Sequence, residues 1–171
     1  MNFSIAEIIR RLWSPNHKLS CSWFLWQRLI GQLRRRGKNI RESGAFLLGT
    51  HKNGRSRIID FILYDDLDPH SLDTGIIRFD GRYYGSLWEH CKQRSLDVIA
   101  DVHTHPGGSE QSPSDRAHPM IAKTGHIALI LPRFAGTPWC RADIGIYRYF
   151  GAKNWEIIPA DRRCAFLHIG I

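Results

Sequence analysis

Residues 101–120 read DVHTHPGGSEQSPSDRAHPM, and this stretch decides how the rest of the chain is read. An apolar run from Leu96 to Val102 leads into His103 and His105. A Pro/Gly/Ser loop follows, and then Asp115. Side chains at i and i+2 of a strand share a face, so the two imidazoles converge on one point. The short loop can swing back and deliver a carboxylate there. Two His and one Asp make the ligand set of a zinc ion that keeps its fourth position open to water. Structural zinc ordinarily closes its shell with four protein ligands, so this set points to catalysis. An isolated His at a strand end is usually a hydrogen-bonded surface residue, and an HxH pair alone is weak support for a metal.

The longer pattern carries more. H-x-H-P-x5-S-x-x-D is filled by His103, His105, Pro106, Ser112 and Asp115, and Glu42 opens the segment ESGAFLLG that ends at Gly49. These motifs resemble the JAMM (JAB/MPN) zinc metalloproteases, whose signature is a distant Glu, then H-x-H-P, then S-x-x-D. The likeness covers roughly residues 40 to 150. The loop between His105 and Ser112 is one residue shorter than in the eukaryotic members. Placing Ser114 at the serine position would put Ala117 where the Asp belongs, so the pairing of Ser112 with Asp115 is preferred.

The resemblance implies an α/β (α+β) fold: one JAB/MPN domain with a mixed, curved sheet flanked by helices, similar to cytidine deaminases. It implies His103, His105 and Asp115 as ligands of one catalytic Zn2+. Glu42 is then the general acid/base beside the water, and Ser112 the donor to the oxyanion. Zinc lowers the pKa of water from about 15.7 towards about 7, so no Ser or Cys nucleophile is needed. Asp101 and Thr104 are candidates to orient the imidazoles, and His118 and His126 have no place in the pattern.

The implied substrate is the bond after the C-terminal glycine of a ubiquitin-like protein, reached by a narrow tail that adds a strand to a sheet edge. The chain resembles the small bacterial members found beside E1- and E2-like conjugation enzymes. There it would mature a precursor or remove the modifier, with antiphage defence as one setting. Two alternatives stand: release of a small group such as cysteine from a sulfur-carrier protein, and a non-catalytic scaffold. Scaffolds typically lack the ligands that this chain keeps.

The whole chain fits that picture. Its 171 residues suffice for one domain with a sizeable core, expected as a helical segment over about 1–38 and a metalloprotease core over about 40–160. An apolar content of 43% with 6 Trp and 8 Phe excludes a disordered class. No run approaches the roughly 20 apolar residues of a membrane span, and MNFSIAEIIRRLW lacks a signal peptide's uninterrupted core. A cytoplasmic protein is expected. Cys21, Cys91, Cys140 and Cys164 are scattered and read as reduced, small buried hydrophobes. The net charge of +8 favours acidic partners. The run Arg34-Arg35-Arg36-Gly37-Lys38 complements a helix C-terminus, and no nucleic-acid motif accompanies it. Nothing in the sequence sets an oligomeric state.

Spacing predicts helices over 4–13, from Ser20 or Ser22 to Arg36, and from Gly81 to Gln93 behind an Asp80 cap. The faces Trp23/Trp26/Ile30/Leu33 and Tyr84/Leu87/Trp88/Cys91 should be buried. Strands are expected at Glu42–Thr50, Arg57–Leu63, Ile76–Phe79, Leu96–Val102, Ile127–Leu131, Ile144–Tyr149 and Trp155–Pro159. His51-Lys52-Asn53-Gly54 should turn a hairpin, Ser114 should cap a helix holding Asp115, and Asp65–Pro69 reads as a solvated loop.

Overall fold

The computed structural model describes residues 17–136 and 140–170. The helix expected over 4–13 lies outside them.

The sheet grows from the predicted hairpin. Asn53 and Gly54 both take positive φ, 53° and 71°, the turn whose twist matches that of paired strands. It joins β2 (Gly44–Lys52) to β3 (Arg55–Leu63), which pair antiparallel. β4 (Asp97–Thr104) lies antiparallel on the other edge of β2, with Gly44 opposite His103. β5 (Ile127–Leu131) runs parallel to β4. β6 (Gly145–Gly151) and β7 (Asn154–Ile157) close that side as an antiparallel pair.

Beyond β3, two short parallel strands extend the sheet, β1 (Leu19–Ser22) and β8 (Leu167–Gly170). The order is β7-β6-β5-β4-β2-β3-β1-β8. These two strands were not predicted, nor was the short helix Ala160–Phe166 that leads into β8.

Helix α1 (Trp23–Gly37) covers one face. Ser22 is its cap rather than Ser20: the Ser22 hydroxyl accepts from Leu25 N at 3.3 Å. Trp26, Leu29, Ile30 and Leu33 pack with Ala100, Val102 and Leu129 of the sheet, and each such burial stabilises by about 1.5–3 kcal/mol. Trp23, predicted to share that face, is 51% exposed because it opens the helix beyond the sheet's cover. On the other face lie α2 (Tyr64–Leu67) and α3 (Tyr84–Arg94). Phe46, Leu48, Tyr64, Leu87 and Cys91 form a second core there. Trp88 stays half exposed and stacks on Tyr84 instead of entering that core.

Two other expectations fail for reasons of hydrogen bonding. Asp65–Pro69 is no solvated loop: α2 carries Asp65 and Asp66 onto the Arg36 guanidinium. Asp68 is buried and accepts from the backbone N–H groups of His70 and Asp80 at 3.0 and 2.9 Å. Residues 76–79 form no strand, because their N–H groups are taken elsewhere. Ile77 N donates to the Glu42 carboxylate and Arg78 N to the Ser71 carbonyl. The thiols also divide: Cys21 and Cys91 are buried, whereas Cys140 and Cys164 are exposed and free.

Candidate metal centre

The pleat of β4 builds the site. Ala100 and Val102 join the core under α1, so Asp101 and His103 face the opposite side. That polar stripe lies between the Phe46 core and a smaller cluster of Ala128, Ile130 and Tyr147. His105 follows just beyond the strand end, held by its own N–H to the Leu131 carbonyl at 2.9 Å.

The loop returns through α4 (Pro113–Ala117). Ser112, not Ser114, is the cap. Its hydroxyl accepts from Asp115 N at 3.2 Å, and Asp115 Oδ2 accepts from Ser112 N at 2.7 Å. This reciprocal box fixes the carboxylate at the first turn. Pro113 suits the first helical position, since its missing N–H is not needed there.

The three predicted ligands come together. The Nε2 atoms of His103 and His105 are 3.1 Å apart. Asp115 Oδ1 lies 3.5 Å from His103 Nε2, and Oδ2 lies 3.2 Å from His105 Nε2. A tetrahedral ion with bonds of about 2.0–2.1 Å has ligand edges of about 3.3 Å. The residues therefore fit a four-coordinate metal ion with three protein ligands. Among the described residues, this is the one group of three or more such side chains whose ligand atoms converge.

Glu42 stands beside the group, its Oε1 3.9 Å from His105 Nε2 and its other oxygen anchored 3.3 Å from Ile77 N. Two residues that sequence reasoning gave no such part fix this spacing. Ser43 N donates to the Thr104 hydroxyl at 3.0 Å, and Thr104 N donates back to the Ser43 carbonyl at 2.9 Å. Ser43 Oγ reaches the Leu33 carbonyl of α1 at 2.8 Å. Glu42 is thereby tied to the residue between the two histidines. A Cβ on Gly44 would collide with the Tyr64 ring, so this close approach needs glycine.

Electrostatics follow from burial. Desolvation pulls the His103 imidazole down, but Asp115 and the carboxylates of Asp101 and Glu42 outweigh it and hold it above its ordinary value. Asp115 is pushed up by burial, yet the two imidazoles hold it well below the usual carboxylate range.

Asp101 and Thr104 make their hydrogen bonds away from the imidazoles. Thr104 serves Ser43, as above. Asp101 Oδ1 lies 2.6 Å from His126 Nε2, and its Oδ2 accepts from Tyr64 OH at 3.3 Å. Both members of the Asp101–His126 pair are buried. His126 is thus a partner of Asp101 and not a fourth ligand, and His103 Nδ1 is buried without a hydrogen-bond partner.

Comparison with known proteins bears on the same residues. A family model described as prokaryotic homologs of the JAB domain matches residues 25–139, which include Glu42, both histidines, Ser112 and Asp115. A probable metalloprotease, y4jG of Sinorhizobium fredii (strain NBRC 101917 / NGR234), is 32% identical over 68 residues. That match spans 40% of this chain and 42% of the relative, under half the length of either. The solution structure of protein DSY2949 from Desulfitobacterium hafniense superposes with a TM-score of 0.60 at 11% identity, covering 88% of this chain and 92% of that one. That likeness concerns the fold alone. With the motif, the convergent ligand atoms and a family match over most of its length, the chain belongs to the prokaryotic JAB-domain family.

Proposed function

We propose that this protein is a zinc-dependent peptidase or isopeptidase that cuts after the C-terminal glycine of a ubiquitin-like protein. The observation that carries the reading is the His103–His105–Asp115 triangle with the Glu42 carboxylate at its rim. Two imidazoles and one carboxylate with an open position suit a catalytic zinc ion. When bound, it polarises a carbonyl oxygen and makes water nucleophilic at neutral pH.

The chain's own residues supply the proton traffic. Glu42 Oε1, free of the Ile77 anchor, takes the proton of the attacking water. It then hands that proton to the leaving nitrogen as the C–N bond breaks. The Ser112 hydroxyl accepts from Asp115 N through a lone pair, and its O–H remains to donate to the developing oxyanion. A glycine tail suits the substrate because only a narrow extended chain reaches a site with His103 and His105 this enclosed. In a bacterial conjugation system with E1- and E2-like partners, the protein would mature the modifier or remove it from targets, including in antiphage defence.

The test is intact-mass analysis after incubation with a panel of ubiquitin-like proteins bearing C-terminal extensions. Cleavage after the terminal glycine, lost with a chelator and with Glu42→Gln, is the expected result. Cleavage that survives both controls removes the metal reading, and a zinc-loaded protein that cuts none of the panel removes the ubiquitin-like substrate.

A further inference from the structure

The dipole of α1 accounts for cations at its C-terminus but not for where each of them reaches. Arg35 bonds Gln32 of its own helix, and Arg36 bonds the acidic residues of α2. Arg34 instead finds a partner 101 residues away, its Nε–H donating to the Ala135 carbonyl at 2.6 Å. That carbonyl ends a left-handed turn. Arg133, Phe134 and Ala135 take φ of 52°, 51° and 59°, the longest run of non-glycine residues at positive φ among the described residues. L-residues enter this region singly, because each Cβ is pressed towards the following carbonyl oxygen. A run of three persists only where its surroundings hold it.

The holding contacts come from inside and outside the turn. Ala135 N donates to the Pro132 carbonyl at 3.0 Å, and Gly136 N to the Arg133 carbonyl at 2.7 Å. The exit needs glycine, since a Cβ on Gly136 would meet that same carbonyl oxygen at 2.7 Å. The Ala135 methyl is fully buried in the core beneath α1, which includes Ile30 and Leu33. Arg34 then grips the carbonyl of this residue with a charged donor, roughly twice as strong as a neutral one.

The first two N–H groups of the turn serve the metal loop. Arg133 N donates to the Gly107 carbonyl at 2.9 Å, and Phe134 N to the His105 carbonyl at 2.8 Å. His105 N donates in the opposite direction, to the Leu131 carbonyl at 2.9 Å. His105 lies beyond the last residue of β4, and these two bonds fix its backbone on both sides of its Cα. Ala135 follows Phe134 directly, so the Arg34 guanidinium acts one peptide unit from the donor to His105.

We propose that Arg34 is a positioning residue of the metal centre: it holds the left-handed turn, and the turn holds His105 where its imidazole meets His103 and Asp115. The proposal rests on the metal-hydrolase reading for the ion, while the bonds themselves form without one. A purely electrostatic role has the opposite sign. Removing one cation favours the binding of another, whereas losing the tether loosens a ligand and weakens binding.

The test compares Arg34→Met with Arg34→Gln in the full chain. Glutamine puts an amide N–H at the depth of the arginine Nε, methionine puts a methyl there, and the three residues have similar helix propensities. Zinc affinity is read by competition with a chromophoric chelator, and amide exchange at Phe134 is followed in the chelated protein. Arg34→Met should bind zinc about tenfold more weakly, at the lower end of what supports behind a ligand contribute, with faster exchange at Phe134. Arg34→Gln should stay within about threefold of the unaltered protein, its neutral donor being the weaker one. Arg35→Met removes the same charge from the same helix and should change neither readout. Unchanged or tighter zinc binding in Arg34→Met overturns the proposal, as does an equal loss in Arg34→Gln or in Arg35→Met.

The unaltered protein supplies a test that survives a variant's failure to fold. Coupling between two events is reciprocal, so zinc should slow exchange of the Arg34 Nε–H and the Phe134 N–H by about the same tenfold. Unchanged rates at both overturn the positioning role and leave the metal reading intact. An unaltered protein that binds no zinc removes the metal reading, and the positioning role with it.

Discussion

Asp101 and His126 form a hydrogen-bonded pair deep in the sheet, each with a side chain 3% exposed. Pairing contributes little net stability, but leaving one buried polar group without its partner is expensive, typically about 1–3 kcal/mol. Asp101→Ala should cost that much in urea unfolding with a chelator present, and adding His126→Ala should recover part of it. Additive losses would show that the two residues do not stabilise each other. Tyr64 belongs to the same network: burial and then Asp101 push its phenol well above the ordinary value, so it stays a donor to Asp101.

Cys21 gives the pH dependence. Burial pushes its thiol up to about 12, against a smaller opposing effect of Arg57. The folded chain therefore keeps a proton that the unfolded chain releases near pH 9. Its contribution is complete below that pH and falls by about 1.4 kcal/mol per unit as pH rises from 9 towards 12. Cys21→Ala should flatten this part of the stability profile, and an unchanged slope would assign it to other groups. The exposed thiols of Cys140 and Cys164 should react with a thiol reagent in the folded protein, with Cys21 and Cys91 reacting only on unfolding.

At the scale of elements, α4 is only five residues long, and its first turn carries Asp115, one of the three converging side chains. Ser112→Ala removes one arm of the capping box, at about 1 kcal/mol, and should lower metal affinity because the short helix that carries Asp115 is then less firmly held. It should also lose about 10²–10³ in turnover if the hydroxyl serves the oxyanion. Ser112→Gly separates the two roles, since glycine is tolerated at the cap for a few tenths of a kcal/mol but offers no side-chain donor. Stability and metal binding should return, and turnover should not. Recovery of turnover would reduce Ser112 to a cap.

The elements legible in the sequence were those whose pattern and partner coincide. β5 and the Asn53–Gly54 hairpin fall where apolar runs and turn residues place them. β1 and β8, reading LSCS and LHIG, were not legible, because four residues carry too little periodicity and their pairing lies more than a hundred residues apart. Residues 76–79 look like a strand and are not one, since the carboxylate of Glu42 takes an N–H that a neighbouring strand would have used. The convergence of His103, His105 and Asp115 was legible because strand alternation and a short return loop suffice to join them. The Ser43–Thr104 clamp was not, because it depends on the register between β2 and β4.

On the scale of the whole molecule, the three converging side chains come from the strand β4, the segment after it and α4, and Glu42 lies just before β2. A bound ion would therefore crosslink α4 to the end of β4. Ligand binding to the folded state alone stabilises by about 2.7 kcal/mol at a hundredfold excess over Kd. For a chain of this size, each kcal/mol raises Tm by about 2–4 °C. Zinc at that excess should thus raise Tm by about 5–10 °C over the chelated protein. Glu42→Gln should keep the whole rise, because Glu42 lies outside the triangle, at 3.9 Å from His105 Nε2. His103→Ala and Asp115→Ala should lose it. Equal rises in all four proteins would mean that zinc binds elsewhere, and loss in Glu42→Gln would make Glu42 a ligand rather than the base.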